Sequence, residues 1–146
     1  MDGSLIEKRL AHILSTVDQL DRLGRPKLLD SDPVQLGYTI YALQTAVQAA
    51  IDVAAMIVTE RKLGEPSINR QMFEMLAIDG WIPEDDISPW KRIVSFRNIV
   101  VYRYLDIDHR VIRAIVENHL GDFRSFAKNV RDRLRSLEDW AFRRAL

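Results

Sequence analysis

One short segment of the sequence concentrates side chains that can bind or move a charged group. It contains Arg97, Asn98, Tyr102 and Tyr104 in close succession. A guanidinium is permanently charged, and its planar fork matches two oxygens of a phosphate group. A phenol ionises near pH ~10, so it is almost entirely protonated at neutral pH. An arginine such as Arg97 can bind a phosphate in this way, but residue type alone favours an ordinary ion pair on the helix surface.

Helical spacing limits which of these side chains can act together. In a continuous helix, Arg97 and Tyr102 lie about 140° apart around the axis and about 7.5 Å apart along it. They therefore cannot converge on one atom from one straight helix, so either the helix breaks or a second chain completes the site. Tyr104 follows Arg97 by seven residues and returns to its face, and Asn98 shares a face with Tyr102.

Other catalytic and binding patterns are missing from the sequence. His12, His109 and His119 have no spacing that places two imidazoles on one helical turn, and no zinc or EF-hand motif appears. The glycines form no phosphate-binding loop, no serine nucleophile elbow is present, and there is no cysteine. We therefore expect neither a metal nor another cofactor. We interpret the three histidines as surface or helix-end residues.

The composition is that of an ordinary globular domain. The 146 residues are 47% hydrophobic and 29% charged, and 21 Lys and Arg balance 21 Asp and Glu. With no net charge, any contact with nucleic acid must come from a local patch. We expect one domain over residues 1–146, no membrane-length apolar run and no signal-peptide core. The lack of cysteine fits a reducing, cytoplasmic location.

Apolar residues recur every three or four positions through most of the chain, which is the pattern of amphipathic helices. Although Ile99–Tyr102 has strand propensity, it lies inside a longer helical pattern. The sequence predicts an all-α, up-and-down bundle of four to five helices. The predicted helices are a first one capped by Ser4 and ended by Gly24 and Pro26; a second from Pro33 to Leu63, capped by Asp32; a third from Ser67 to Gly80; a fourth opened by Ser88 and Pro89 and reaching roughly Tyr104; and a last one capped by Asp108, bending near Asn118–Gly121 and ending at about Trp140.

The segment from Ser95 to Asp108 resembles the signature of the HepT-like branch of the HEPN superfamily. That signature reads F-R-N, three mostly apolar residues, His, any residue, Tyr, and shortly afterwards I-D. The similarity continues in the second helix, the connection after it and the last helix, and covers about residues 5–130, with 131–146 as a basic helix end or tail. The residues that match the signature are Arg97, Asn98, Tyr104, Ile107 and Asp108.

The resemblance implies a homodimer that cuts RNA without a metal, with arginine and histidine side chains from both chains in one cleft. It also implies a partner, a minimal nucleotidyltransferase antitoxin, which transfers AMP to the motif tyrosine. By this resemblance the catalytic positions are Arg97, Asn98 and residue 102, and the modified residue is Tyr104.

Tyr102 stands where the family has its histidine. To act as a base at neutral pH, its phenol would need its pKa lowered by about three units, or about 4 kcal/mol. Loss of acid–base help typically costs about 10²–10⁴ in rate. The sequence therefore predicts a toxin-family ribonuclease that is weakened or inactive. The alternative is a non-catalytic helical dimer that binds a nucleotidyltransferase or RNA without cleaving it, with both tyrosines serving as core or interface aromatics.

The C-terminal part of the chain is rich in cations. Against four acids from Asp122 onward it leaves a modest positive excess, which favours contact with RNA or an acidic partner if it is not simply a solvated face. The cations are Arg124, Lys128, Arg131, Arg133, Arg135, Arg143 and Arg144.

Overall fold

The computed structural model describes the backbone of residues 2–102 and 107–146 and the side chains of residues 2–100 and 107–146. Within this part of the chain the regular structure is entirely helical, which confirms the predicted all-α fold. Two 3₁₀ turns, Pro26–Leu28 and Glu84–Asp86, precede the second and fourth helices. The helices are α1 (Gly3–Leu23), α2 (Pro33–Glu60), α3 (Asn69–Ile78), α4 (Ile87–Tyr102), α5 (His109–Asn118) and α6 (Leu120–Ala145).

Helix α2 is the central element of the bundle. It packs against α1, α3 and α4, while α6 lies along α1, and α5 contacts α6 and the 3₁₀ turn after α1. Fully buried alanines such as Ala46, Ala50 and Ala54 keep α2 thin, so neighbouring helices approach it closely. Helix α4, which carries Arg97, is one of the helices packed against α2 in this way.

Helix α2 is also long and apolar enough to cross a membrane by length and composition alone, with a mean hydropathy of 1.5 in its most apolar window. The expectation that the chain has no such segment is to that extent wrong. However, 61% of the window is buried inside the bundle, where α1, α3 and α4 cover it. Its apolar side chains therefore serve as core of this fold.

Three of the predicted helix boundaries are confirmed. The α1 helix ends at Gly24, whose backbone N–H donates to the Leu20 carbonyl at 2.9 Å. Asp32 caps α2 by accepting from the Val34 N–H at 3.0 Å. Asp108 caps α5 by accepting from the Arg110 N–H at 2.9 Å. Each of these ends satisfies a backbone group that the helix itself leaves unpaired.

Two predicted N-caps were wrong: α1 is capped by a different residue, and α3 has no side-chain cap. Ser4 lies inside α1, which Asp2 caps by accepting from the Leu5 N–H at 3.1 Å. Ser67 does not cap α3; its own backbone N–H donates to the Gln71 side chain at 2.7 Å.

Four further boundaries differ from the prediction. The α4 helix starts at Ile87, directly after a 3₁₀ turn, so Ser88 and Pro89 lie in its first turn. The α2 helix ends at Glu60 instead of Leu63, because Lys62 adopts a positive φ of 54°. The predicted bend at 118–121 is a full break at His119 between α5 and α6, and α6 continues past Trp140 to Ala145.

Aromatic rings from three helices fill the centre of the core. Trp90 of α4 is fully buried and stacks on Phe73 of α3, with ring centroids 5.0 Å apart and planes 4° apart. From α6, Phe123 and Phe126 meet the indole at 5.2 Å and 5.0 Å. Such ring pairs stabilise a core beyond the area they bury. Trp90 therefore joins α3, α4 and α6.

Replacement of Trp90 by alanine should leave a cavity between three helices and lower the free energy of unfolding by about 3–5 kcal/mol. Urea denaturation followed by circular dichroism measures this change. Trp140 is the matched control because its side chain is 59% exposed, and Trp140→Ala should change the same quantity by no more than about 0.5 kcal/mol. Equal losses in the two variants would contradict the assigned packing.

Candidate active site

Helix α4 presents Arg97 at the surface by burying the residues on either side of it. Phe96 is 1% exposed and Val100 is 5% exposed, so both anchor α4 in the core. Arg97 and Asn98 are half-buried at the edge of this contact. The spacing that buries Phe96 and Val100 therefore also fixes the direction in which the Arg97 side chain leaves the helix.

Arg97 is held by an amide side chain of α2. Its Nε donates to Gln48 Oε1 at 2.9 Å, and Gln48 Nε2 donates to Asp52 Oδ1 at 2.9 Å. Arg9 of α1 faces the other carboxylate oxygen, Asp52 Oδ2, from 3.9 Å. The four residues form one polar chain across α1, α2 and α4, and each end of the chain is an arginine.

The use of Nε leaves the two terminal amino groups of Arg97 without a hydrogen bond to any described residue. Those two groups form one side of the guanidinium fork, and they can donate hydrogen bonds to two oxygens of a phosphate. Because the anchor is an uncharged amide, it orients Arg97 without neutralising it. Within the described residues, the contact that the structure gives Arg97 is this amide.

The remaining predicted site residues are placed only in part. Asn98 directly follows Arg97, and no hydrogen bond joins its side chain to another described residue. The backbone of α4 is helical through Tyr102, so positions 97 and 102 keep their separation of about 140°. The side chain of Tyr102 and the whole of Tyr104 lie outside the described residues, and their roles stay predictions.

Two of the three histidines are engaged by carboxylates at helix ends, as the sequence predicted. His109, at the start of α5, has Nδ1 2.7 Å from Asp30 Oδ1, and His119, between α5 and α6, has Nδ1 2.7 Å from Asp122 Oδ2. Arg113 also donates to Asp30, at 3.0 Å. Hydrogen bonds from His109 and Arg113 hold the pKa of the Asp30 carboxyl below its usual range. These contacts dock α5 against the turn before α2.

His12 lies on the exposed face of α1, and it borders a groove between α1 and α2 together with Arg9, Tyr41 and Gln48. No hydrogen bond joins it to another described residue. Sequence reasoning did not assign any of these four positions to a site. The available signal was the pair Gln48 and Asp52, since polar residues one turn apart on an otherwise apolar helix need partners.

Several C-terminal cations act as ties between helices. Arg124 of α6 donates to Asp18 and Asp21 of α1, and Arg131 of α6 pairs with Glu7 of α1. These ion pairs neutralise part of the excess positive charge that the sequence predicts for the C-terminal region. Among the described residues, no three His, Asp or Glu side chains lie close enough together to hold a metal ion.

The sequence resembles those of known proteins. A family model described as ribonuclease HepT-like matches residues 7–130. The mRNA nuclease HepT of Shewanella oneidensis is 33% identical over 87 residues, which is 60% of this chain and 65% of that protein. A putative RNase of Archaeoglobus fulgidus is 28% identical over 106 residues, or 73% of this chain and 80% of that protein. The chain thus spans just under two thirds of the Shewanella relative.

Solved structures resemble the whole bundle. A tri-AMPylated HEPN toxin of Shewanella oneidensis, in complex with an MNT antitoxin, has a TM-score of 0.81 at 26% identity and covers 90% of this chain and 99% of its own. A toxin–antitoxin complex with AMP-PNP gives 0.82 at 25% identity, covering 89% and 99%. The cytosolic protein YutE of Bacillus subtilis, at 16% identity and a TM-score of 0.85, shares the fold alone and covers 93% and 92%. Because the family model spans most of the sequence and these structures share its architecture, this chain belongs to the ribonuclease HepT-like family and has the fold of the HEPN toxins.

Proposed function

We propose that this chain is the toxin of a toxin–antitoxin pair. In this proposal it is a homodimeric, metal-independent RNA endonuclease of the cytoplasm, restrained by a minimal nucleotidyltransferase antitoxin. Support comes from the relatives, which include an mRNA nuclease and toxins in complex with MNT antitoxins. The observation that carries the proposal is the orientation of Arg97 by Gln48, which leaves the guanidinium fork directed away from its anchor.

The chemistry assigned to Arg97 is the binding of the scissile phosphate. In metal-independent cleavage, the 2′-oxygen of the ribose attacks phosphorus, its proton passes to a base, and the 5′-oxygen leaves and takes up a proton. The bond that forms is O2′–P and the bond that breaks is P–O5′, giving a cyclic phosphate. A fixed guanidinium stabilises the charge that builds on the phosphoryl oxygens in the transition state. In this proposal Asn98, the next residue of the motif, contributes a neutral hydrogen bond.

Proton transfer is the step for which this chain is poorly equipped. A phenol at position 102 accepts a proton far less readily at neutral pH than an imidazole does. In the proposal the enzyme is therefore weakened or inactive, while phosphate binding by Arg97 is retained. The second candidate function, a dimer that binds RNA or a nucleotidyltransferase without cleaving, is favoured by this same observation, Tyr102 at the family's histidine position.

Cleavage assays on purified protein separate these two functions. Arg97→Ala should reduce RNA cleavage by about 10²–10³ because transition-state charge is no longer stabilised. Tyr102→His should raise the rate by about 10²–10⁴ through restored acid–base help. Arg92→Ala is the control, since Arg92 is an exposed arginine of the same helix, and it should cleave like the parent. A Tyr102→His variant without activity would establish the non-catalytic alternative.

A homodimer should form through apolar residues beside α4, with one Arg97 on each wall of a shared cleft. Ile99, on the same helix as Arg97, is 37% exposed and is a candidate for that contact. Sedimentation velocity should show a dimer that Ile99→Asp weakens. Ile78→Asp serves as the control, because Ile78 on α3 is 89% exposed. A parent protein that stays monomeric at high concentration would rule the shared cleft out.

Tyr104 should be the residue that the antitoxin modifies. Its phenolic oxygen attacks the α-phosphorus of ATP, pyrophosphate leaves, and the phenol proton is lost to solvent, so an anionic phosphodiester is added close to the Arg97 site. Incubation with a cognate nucleotidyltransferase, ATP and Mg²⁺ should raise the mass by one or more AMP units. Peptide mapping should place them on Tyr104, and Tyr104→Phe should abolish them. Modification of Tyr102 alone would contradict the assignment.

A further inference from the structure

A groove between α1 and α2 lies beside Arg97 and has no part in the role proposed above. It has a volume of about 340 Å³, near the lower end of the range for ligand sites, roughly 300–1,000 Å³. Volume of this size suits a single nucleotide. Its lining includes Arg9 and His12 from α1 and Tyr41, Gln44, Gln48 and Asp52 from α2.

Gln48 makes the groove continuous with Arg97. The same amide accepts from Arg97 Nε and donates to Asp52, and both Gln48 and Asp52 line the groove. An RNA strand whose phosphate is bound by the terminal amino groups of Arg97 would therefore lie next to the groove. The amide is held on both sides, so this junction has a defined geometry.

The groups that line the groove are those that recognise single-stranded nucleic acid. The ring of Tyr41 is 69% exposed, which is unusual for an aromatic side chain and typical of a platform for base stacking. The Arg9 side chain is 48% exposed and stands 3.9 Å from Asp52, too far for a hydrogen bond, so its donors remain available to a phosphate.

His12 strengthens the case by comparison with the other histidines. His109 and His119 each contact a carboxylate at 2.7 Å, whereas no described residue bonds to His12. An imidazole with free nitrogens beside an arginine and an aromatic ring can donate to a phosphate or to a base edge. The groove thus combines a cation, a hydrogen-bonding ring and a stacking surface.

We propose that the α1–α2 groove binds the nucleotide adjacent to the phosphate held by Arg97, and this proposal rests on the proposed function. Tyr41 stacks on the base, while Arg9 and His12 contact the phosphate on its far side. The chemical class of the ligand is a single-stranded RNA segment. Because stacking accepts any base, the groove adds affinity and register more than sequence preference.

The probe for this site is a fluorescent 2′-O-methyl oligonucleotide of mixed sequence, on the order of ten nucleotides long. It lacks the attacking 2′-hydroxyl, so fluorescence anisotropy reports binding without cleavage. Tyr41→Ala should weaken binding about tenfold or more, and Tyr41→Phe should retain it because the ring is kept. Arg9→Gln should reduce the slope of log affinity against log salt by about 0.7. His12→Ala should weaken binding because the hydrogen-bond donor of the imidazole is lost.

Trp140→Ala is the matched control, because Trp140 is an exposed aromatic residue far along α6, and it should bind like the parent. Arg97→Ala separates the two proposals. If Arg97→Ala weakens binding and Tyr41→Ala does not, the groove assignment is overturned and the proposed function stands. If the parent does not bind the oligonucleotide, both are overturned. If Tyr41→Ala instead loses a nucleotidyltransferase and keeps the oligonucleotide, the groove is a protein interface and the nucleotide assignment fails.

Discussion

The burial of α2 on several sides is the constraint from which the site follows. Helices α1, α3 and α4 all pack against it, so most of its surface must be apolar and its side chains small. Several of its polar residues, among them Gln44, Gln48 and Asp52, are half-buried along the strip that the neighbouring helices leave open. Gln48 and Asp52 occupy that strip one turn apart, and Arg97 reaches it from α4. The packing around α2 therefore determines where Arg97 can form its hydrogen bond to Gln48.

The charges of the bundle are organised around this strip. Along the α1–α6 seam, arginines meet carboxylates directly, as Arg131 does with Glu7, and such exposed pairs contribute little to stability while cancelling charge. Arg97 differs from these arginines because it donates to the neutral amide of Gln48. The carboxylate of Asp52 is bonded to that amide and not to Arg97 itself. Although the chain has no net charge, the charge of Arg97 is therefore not neutralised by Gln48, beside the α1–α2 groove.

The helices could be predicted from the sequence because the spacing of apolar residues and the residues that cap or end a helix are local signals. Asp32, Asp108 and Gly24 end or begin helices as expected, since each acts on backbone groups a few residues away. The predicted cap Ser4 was wrong because Asp2, two residues earlier, is an equally good capping residue, and Ser67 was wrong because α3 begins after Ile68 without a side-chain cap. The contact between Gln48 and Arg97 joins positions 49 apart, and no periodicity reports a contact of that range. Arg97 itself was found through the motif, and its anchor was not.

The departure at position 102 separates two properties that the family resemblance joins. In the proposed function, phosphate binding depends on Arg97, whose side chain is oriented by its hydrogen bond to Gln48 of α2. Proton transfer depends on an imidazole, and two of the three histidines are already occupied by Asp30 and Asp122 at helix ends. The hydrogen bonds that orient Arg97 join side chains of α2 and α4 and do not involve Tyr102. In the proposed function, a loss of catalysis would therefore leave the orientation of Arg97 unchanged. Selection for RNA binding or for contact with a nucleotidyltransferase can then act on this chain even where cleavage has been weakened.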